Sequence, residues 1–232
     1  MNSTTTTALP TTFAPRWVNG MLTTVLGTTS AGGGAATALG ELDRQAGDGD
    51  FGTNLTSAFT RVQDEIQKTS PQTFTAWLTA VSRGFLGTGG TSGPLFGMFF
   101  RDIARCSTGD APTLAELADG LGNAVATVQR YGKAQVGHKT MVDALVPATQ
   151  KLSEQAAAGV DPALALTAAA EAAQGGALTT RDIVARRGRA SYVGEVARGV
   201  LDPGAVAVAL MIQCAAAAAA GHDGPVDTAW TR

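Results

Sequence analysis

Apolar residues recur at helical spacing along most of the chain. The clearest example is the helix predicted over 54–68, in which Leu55, Phe59, Val62 and Ile66 follow at intervals of four, three and four residues. No sustained alternation of apolar and β-branched residues between hairpin turns occurs, so strands are not predicted. The pattern therefore predicts an all-α fold.

Capping signals set several helix starts. Thr113 and Glu116 have the spacing of a capping box, and Asp161 and Asp202 each precede a proline as an N-cap precedes the first helical residue. With these signals, eight helices are predicted at 35–46, 54–68, 72–86, 94–106, from 114 onward, 140–155, 162–174 and 203–220. Because the breaks between them are short, we predict one all-α domain over 16–232, preceded by a disordered, Thr-rich tail over 1–15.

Charge and hydropathy exclude several classes of function. The chain has 17 Lys and Arg residues against 19 Asp and Glu residues, so no basic excess favours nucleic acid. The most apolar stretch, 204–221, is mostly alanine and contains Gln213, which predicts a buried helix and no membrane span. Cys106 and Cys214 are far apart and are predicted to be small buried side chains in a reducing compartment. The N-terminus lacks the features of a signal peptide, so a cytoplasmic protein is expected.

An acidic, glycine-rich segment follows the helix predicted over 35–46. Asp43, Asp48 and Asp50 fall within eight residues, and such hard oxygen ligands suit Mg²⁺ or Ca²⁺. The alternative is a solvated acidic turn. The glycines match GxGxxG, but a predicted helix precedes them instead of a strand. An EF-hand is excluded because Phe59 stands where the last glutamate is needed.

Two further loops have residues suited to phosphate. The segment 87–94 is rich in glycine and hydroxyl groups and leads into a helix, which is typical of an amide nest for anions or, alternatively, of a flexible turn. The segment 132–143 nearly matches a P-loop, but His138 separates Gly137 from Lys139 and no strand precedes the segment. Lys139 and Thr140 nevertheless remain candidates to face a phosphate.

A fourth segment, 185–192, contains three arginines and is followed by Asp202-Pro203-Gly204. Arginine clusters are often only solvated surface, so this segment alone indicates little. Together, however, the carboxylates, glycine amides, hydroxyls and arginines all lie on loops of one helical protein. This combination predicts a nucleotide phosphate site in which Mg²⁺ neutralises the phosphates.

These segments resemble the ADP-binding L subunit of bacterial dihydroxyacetone kinases and the matching C-terminal domain of the single-chain enzymes. The motifs that carry the resemblance are Leu42-Asp43 with GDGDFGTN at 47–54, GGTSGPLFG at 89–97, GHKTMVDALVPA at 137–148, ARRGRASY at 185–192 and DPG at 202–204. They occur in the family's order between about residues 35 and 220. The resemblance implies an eight-helix antiparallel barrel with the nucleotide site in the loops at one end.

The resemblance also implies roles for individual residues. Asp43, Asp48 and Asp50 would hold two Mg²⁺ ions that bridge the phosphates of ADP or ATP. The residues implied for the nucleotide pocket are Phe51, Gly52, Thr53, Asn54, Thr91, Ser92, Gly132, Met141, Arg189, Asp202, Pro203 and Gly204. The chain departs from the family at Phe51, where histidine is usual, and at His138, where aspartate is usual. No catalytic residue is assigned beyond the metal ligands.

The function implied by the resemblance is that of a phosphotransferase subunit. It would transfer a phosphoryl group to dihydroxyacetone, or to a related short ketose, held on a separate K subunit. In systems linked to a phosphotransferase, an M subunit would rephosphorylate the bound ADP. The alternatives are an ATP-dependent kinase subunit for another ketose or a sugar acid, and a nucleotide-loaded regulatory module that binds a transcription factor.

Overall fold

The computed structural model describes residues 8–27 and 34–231. The α-helices of these residues are α1 (Phe13–Leu26), α2 (Ala35–Ala46), α3 (Phe51–Thr69), α4 (Phe74–Leu86), α5 (Ser92–Ile103), α6 (Leu114–Gly132), α7 (Val142–Ala157), α8 (Pro162–Thr179) and α9 (Pro203–Ala219). Short 3₁₀ turns lie at Thr180–Asp182, Arg189–Tyr192, Gly194–Ala197 and Ala229–Thr231. No strand occurs in this part of the chain, so the all-α prediction is confirmed.

The helices close into a ring. Each helix from α2 to α8 packs against the next one in the chain, and α9 returns to contact α2 as well as α7 and α8. Helix α1 packs against α9, α4, α3 and α2. Because neighbours in the chain are neighbours in space, the loops gather at the two ends of the ring.

An aromatic cluster joins α1 to the rest of the core. The ring centroids of Phe13 and Trp17 are 5.5 Å apart, and those of Trp17 and Phe100 are 6.2 Å apart. Phe85 continues the cluster at 5.8 Å from Phe100. The indole Nε1 of Trp17 donates a hydrogen bond of 2.8 Å to the carbonyl of Met211 on α9, which satisfies its only polar group.

The tail predicted over 1–15 is wrong for residues 8–15. Helix α1 already begins at Phe13, and Leu9 is buried with its N–H bonded to the Pro112 carbonyl at 2.9 Å. The apolar positions of α1 recur every four residues from Phe13, so the segment has a face to bury. Residues 1–7 lie outside the described part of the chain.

The predicted caps and the predicted buried helix are confirmed. Thr113 and Glu116 form both bonds of a capping box, at 3.2 and 2.8 Å, and Asp161 and Asp202 cap α8 and α9. Helix α9 is buried on nearly all sides. None of the helices in the described residues is long and apolar enough to cross a bilayer. Cys214 is buried as predicted, whereas Cys106 is only half-buried.

A close crossing of α2 and α3 brings the acidic segment to the start of α3. A Cβ atom added to Gly52 would collide with the Ala36 carbonyl and would lie 2.8 Å from the Cα of Gly40. Only glycine allows two helix backbones to approach this closely. As a result, Asp43 near the end of α2 lies beside the first turn of α3, where its carboxylate meets the Phe51 N–H.

Candidate functional site

One pocket lies where helices α3, α5, α7 and α9 begin and where α2 and α6 end. Its cavity volume is about 190 Å³. The predicted site residues that line it are Asp43, Asp48, Phe51, Asn54, Thr91, Ser92, Gly132, Met141, Asp202, Pro203 and Gly204. The structure therefore brings residues from all four candidate loops to one cavity.

The helix N-termini around this pocket give part of its surface a positive electrostatic potential. The first amide groups of a helix have no partners within the helix, and the helix dipole adds partial positive charge there. The N-cap residues of α3, α5 and α7 form no side-chain capping hydrogen bond, whereas Asp202 caps α9 by accepting the Ala205 N–H at 2.7 Å. The first amide of α3 donates to Asp43 and that of α7 donates to Thr140 Oγ1, and the amides that follow them in these first turns have no side-chain cap. Such an arrangement favours a phosphate group.

Two carboxylates lie in contact at one wall of the pocket. Asp43 is almost completely buried, and its Oδ2 accepts the N–H of Phe51 at 2.9 Å. Burial raises the pKa of Asp43, and the neighbouring negative charge of Asp48 raises it further. Both effects disfavour the ionised form, so a cation beside this pair would be strongly stabilised.

The predicted trio of metal ligands is not gathered around one point. Within residues 8–27 and 34–231, no group of three or more histidine, cysteine or acidic side chains is arranged to hold a metal ion. Asp50 is exposed and does not line the pocket, although its N–H lies 3.4 Å from Asp48 Oδ1. The Asp43–Asp48 pair still suits Mg²⁺, which takes one or two carboxylates and completes its shell with water and phosphate oxygens.

Asp202 adds a further carboxyl group to the pocket. Burial raises the pKa of Asp202 to about 7, and the charges of Asp143 and Asp43 contribute to the increase. The hydrogen bond from Ala205 N–H acts in the opposite direction. The pocket therefore combines helix N-termini with more carboxylates than a bare polyphosphate would tolerate, which is the environment expected when a divalent cation accompanies the phosphates.

Replacing Asp202 with Asn is expected to stabilise the metal-free protein above neutral pH. Because folding raises the pKa of Asp202 from 3.8 to about 7, the energetic cost of this carboxylate is absent below about pH 4, grows between about pH 4 and 7, and stays at its full value above 7. Asn keeps an oxygen for the Ala205 N–H. Thermal melts in EDTA should show a larger gain in Tm at about pH 8 than at about pH 5. Equal gains at both pH values would contradict the assignment.

Lys139 does not direct a free ammonium toward a phosphate. Its side chain is buried, and its Nζ donates to the carbonyls of Thr180 at 2.6 Å and Val200 at 2.5 Å. Burial lowers the pKa of Lys139, and nearby carboxylates including Asp202 oppose that effect. Lys139 and Thr140 both line the pocket, but the Lys139 ammonium is bonded to these two carbonyls.

The arginine segment forms the outer wall. Arg187, Gly188 and Ala190 line the pocket, and the Arg186 N–H donates to the His138 carbonyl at 3.1 Å. The side chain of Arg189, which was predicted to bind the nucleotide, lies outside the described part of the structure. Among the described residues, the arginine segment therefore contributes Arg187, Gly188 and Ala190 to the pocket, next to Arg189 in the sequence.

Gly52, Thr53 and His138 do not line the pocket. Gly52 faces α2 instead, Thr53 is exposed, and His138 accepts the Gln135 N–H at its Nδ1. Phe51 lines the pocket while its ring packs against the core, and its N–H bonds Asp43. The backbone of Phe51 thus makes a contact that any residue at this position could make.

An apolar wall completes the pocket, and its residues were not predicted from the sequence. Leu95 and Phe96 on α5, Val128 on α6 and Val142 on α7 lie beside Met141. Helical spacing could have revealed the first three, because Leu95 and Phe96 follow Ser92 by three and four residues and Val128 precedes Gly132 by four. A flat apolar group fits such a wall.

Comparison with known proteins supports this interpretation. The model of the DAK2 domain matches residues 45–217. The PEP-dependent dihydroxyacetone kinase, ADP-binding subunit DhaL, of Escherichia coli is 37% identical over 77% of this chain and 86% of that protein. A putative 3,4-dihydroxy-2-butanone kinase of Solanum lycopersicum is 36% identical over 78% of this chain, which spans 31% of that longer protein.

A crystal structure of the dihydroxyacetone kinase from C. freundii in complex with AMP-PNP and Mg²⁺ has a similar fold. Its TM-score is 0.61 at 25% identity, and the match covers 93% of this chain and 35% of that chain. The family model covers helices α3 to α8, most of α9 and the four loops that line the pocket, but not Asp43, which lies on α2. The chain belongs to the DAK2 domain family.

Proposed function

We propose that this chain is the nucleotide-binding subunit of a dihydroxyacetone kinase. It would bind ADP or ATP with Mg²⁺ and transfer a phosphoryl group to dihydroxyacetone, or a related short ketose, held on a separate K subunit. The observation that carries the proposal is the convergence of four helix N-termini and the Asp43–Asp48 pair on one pocket. The name of the E. coli relative, an ADP-binding subunit, supports the same ligand.

The polar side of the pocket would hold the phosphates. Thr91 and Ser92 at the start of α5, and the backbone at the start of α3, would donate hydrogen bonds to phosphate oxygens. Asp43 and Asp48 would bind the metal, with Asp50 as the third ligand that the family resemblance implies. Two Mg²⁺ ions bound there would neutralise the charge that develops on the transferred phosphoryl group.

The apolar side of the pocket would hold the base of the nucleotide. Leu95, Phe96, Val128 and Met141 form a wall beside the phosphate region, and Gly132 leaves space at the end of α6. A planar base packed against this wall would fix the direction in which the phosphate chain extends. Positioning of this kind supplies much of the catalysis in phosphoryl transfer, so no general base is assigned.

The phosphoryl acceptor would come from a partner chain. The E. coli relative is named as a subunit of its kinase, which supports a separate K subunit here. The phosphoryl donor would be either an M subunit that rephosphorylates bound ADP or free ATP. The name of the tomato relative, a 3,4-dihydroxy-2-butanone kinase, favours including that ketose among the candidate acceptors.

Reconstitution tests the proposed function. The purified chain is mixed with a K subunit loaded with dihydroxyacetone or with 3,4-dihydroxy-2-butanone, and with either ATP or a phosphorylated M subunit, and the phosphorylated ketose is measured. Product is expected only with this chain and Mg²⁺, and the Asp43→Asn variant is the matched inactive control. Nucleotide binding without product from any donor, together with binding to a transcription factor, would favour a regulatory module instead.

A further inference from the structure

Lys139 adopts a backbone conformation that is uncommon for a residue with a side chain. Its φ angle is +59°, in the left-handed region. The buried carboxylate of Asp143 holds this turn, because it accepts the Gly137 N–H at 2.5 Å and the Thr140 N–H at 2.7 Å. The turn directs the Lys139 side chain into the protein, where only 1% of the residue is exposed.

The Lys139 ammonium links the two ends of the segment that connects α8 to α9. Its bonds to the carbonyls of Thr180 and Val200 connect the end of α8 to the approach to α9. Two other hydrogen bonds hold the same two ends together, and we call this closed base of the segment the neck. They run from the Gly199 N–H to the Arg181 carbonyl at 2.8 Å and from the Asp202 N–H to Thr180 Oγ1 at 2.9 Å. We call residues 181–199, which lie between these closures, the cover segment.

The cover segment has little core of its own. It consists of short 3₁₀ turns and connecting backbone, and Tyr192 and Val196 are 84% and 72% exposed. Near its middle, Arg187 and Gly188 line the pocket. Segments with few buried contacts open easily, so the position of this one depends on the hydrogen bonds at its two ends and on the bond from the Arg186 N–H to the His138 carbonyl.

We propose that Lys139 is a positioning residue that fastens the cover segment over the pocket and thereby slows the release of bound nucleotide. The buried ammonium acts on the ligand through the segment, because its donors are directed at the two neck carbonyls. The part of this inference that concerns nucleotide rests on the proposed function. The part that concerns the segment stands on the hydrogen bonds alone.

The Lys139→Met variant of the full chain tests the proposal. Methionine fills a similar volume but removes the ammonium donor from both carbonyls, and the Thr180 carbonyl keeps only the longer bond from the Ile183 N–H at 3.3 Å. In nucleotide-free protein, amide hydrogen exchange at 181–202 is expected to become about ten-fold faster or more, while exchange in α3 and α4 stays unchanged. In stopped-flow experiments with fluorescent ADP and Mg²⁺, release is expected to become about ten-fold faster or more. Lys151→Met, at a half-exposed lysine on α7, is the control that should change neither rate.

Thr180→Val is a second variant that opens the same neck without altering the ammonium. It removes the hydroxyl that accepts the Asp202 N–H, so it should accelerate both exchange and release, by less than Lys139→Met. If Lys139→Met does not fold, the exchange and release rates of Thr180→Val test the proposal instead. Unchanged exchange at 181–202 in the folded variants, or a uniform loss of protection over the whole chain, would overturn the proposal. Failure of wild-type protein to bind ADP would contradict the proposed function alone, because the exchange experiment needs no ligand.

Discussion

Asp43→Asn is expected to weaken the binding of ADP in the presence of Mg²⁺ by about 100-fold or more. The variant keeps an oxygen that can accept the Phe51 N–H, so the crossing of α2 and α3 is preserved. It removes the charge that would hold the metal beside Asp48, and with it the cation that lets phosphates enter a pocket rich in carboxylates. Isothermal titration calorimetry of ADP with Mg²⁺ measures the loss.

The control for this prediction is Asp64→Asn, which removes an exposed carboxylate of α3 far along the helix from its first turn. It should leave ADP affinity unchanged. Thermal stability of Asp43→Asn should equal or exceed that of wild type near neutral pH, because burial and Asp48 both make the Asp43 carboxylate unfavourable. An ADP affinity equal to that of wild type would show that Asp43 is not a metal ligand.

Gly52→Ala is expected to lower the free energy of unfolding by about 2–4 kcal/mol. The added methyl group would meet the Ala36 carbonyl and the backbone of Gly40, which cannot move aside as a flexible side chain could. Relief of the clash requires α2 and α3 to separate, which would also draw Asp43 away from the Phe51 N–H. Urea denaturation monitored by circular dichroism measures the change in stability.

The matched control is Gly89→Ala. A Cβ at Gly89 meets no atom within 4 Å, and its backbone is outside the left-handed region, so stability should stay within about 0.5 kcal/mol of wild type. The pair of variants separates the cost of the contact between α2 and α3 from the general effect of adding a methyl group to a glycine. Full stability of Gly52→Ala would contradict the close packing of α2 on α3.

The sequence predicts most helices because caps and apolar stripes are local signals. Helix α2 has the predicted bounds, and the capping box at Thr113 starts α6 where expected. Helix α1 was missed although Phe13 and Trp17 begin a stripe at four-residue spacing, since its flanks are rich in threonine. Helix α8 continues through Gly176 to Thr179, because that glycine packs against the carbonyl of Asp143 and tertiary contact outweighs its low helix propensity.

The candidate site was predictable in its chemistry but only partly in its geometry. Motif order places Asp43, Thr91 and Asp202 in one family pattern, and the structure gathers all three at one pocket. The inward turn at Lys139 was not predictable, because it depends on the distant carbonyls of Thr180 and Val200. A lysine next to a glycine-rich loop suggests a phosphate ligand, and only the packing of α8 and α9 shows where its ammonium lies.

In the proposed function, a divalent cation links the Asp43–Asp48 pair to the phosphates of a nucleotide in the pocket at the helix N-termini. The most direct test is calorimetric titration of ADP into the wild-type chain with Mg²⁺ and again in EDTA. Saturable binding is expected with Mg²⁺, and the affinity for ADP is expected to weaken by about 100-fold or more in EDTA. Equal affinity in the two buffers, or no binding in either, would contradict the proposed function.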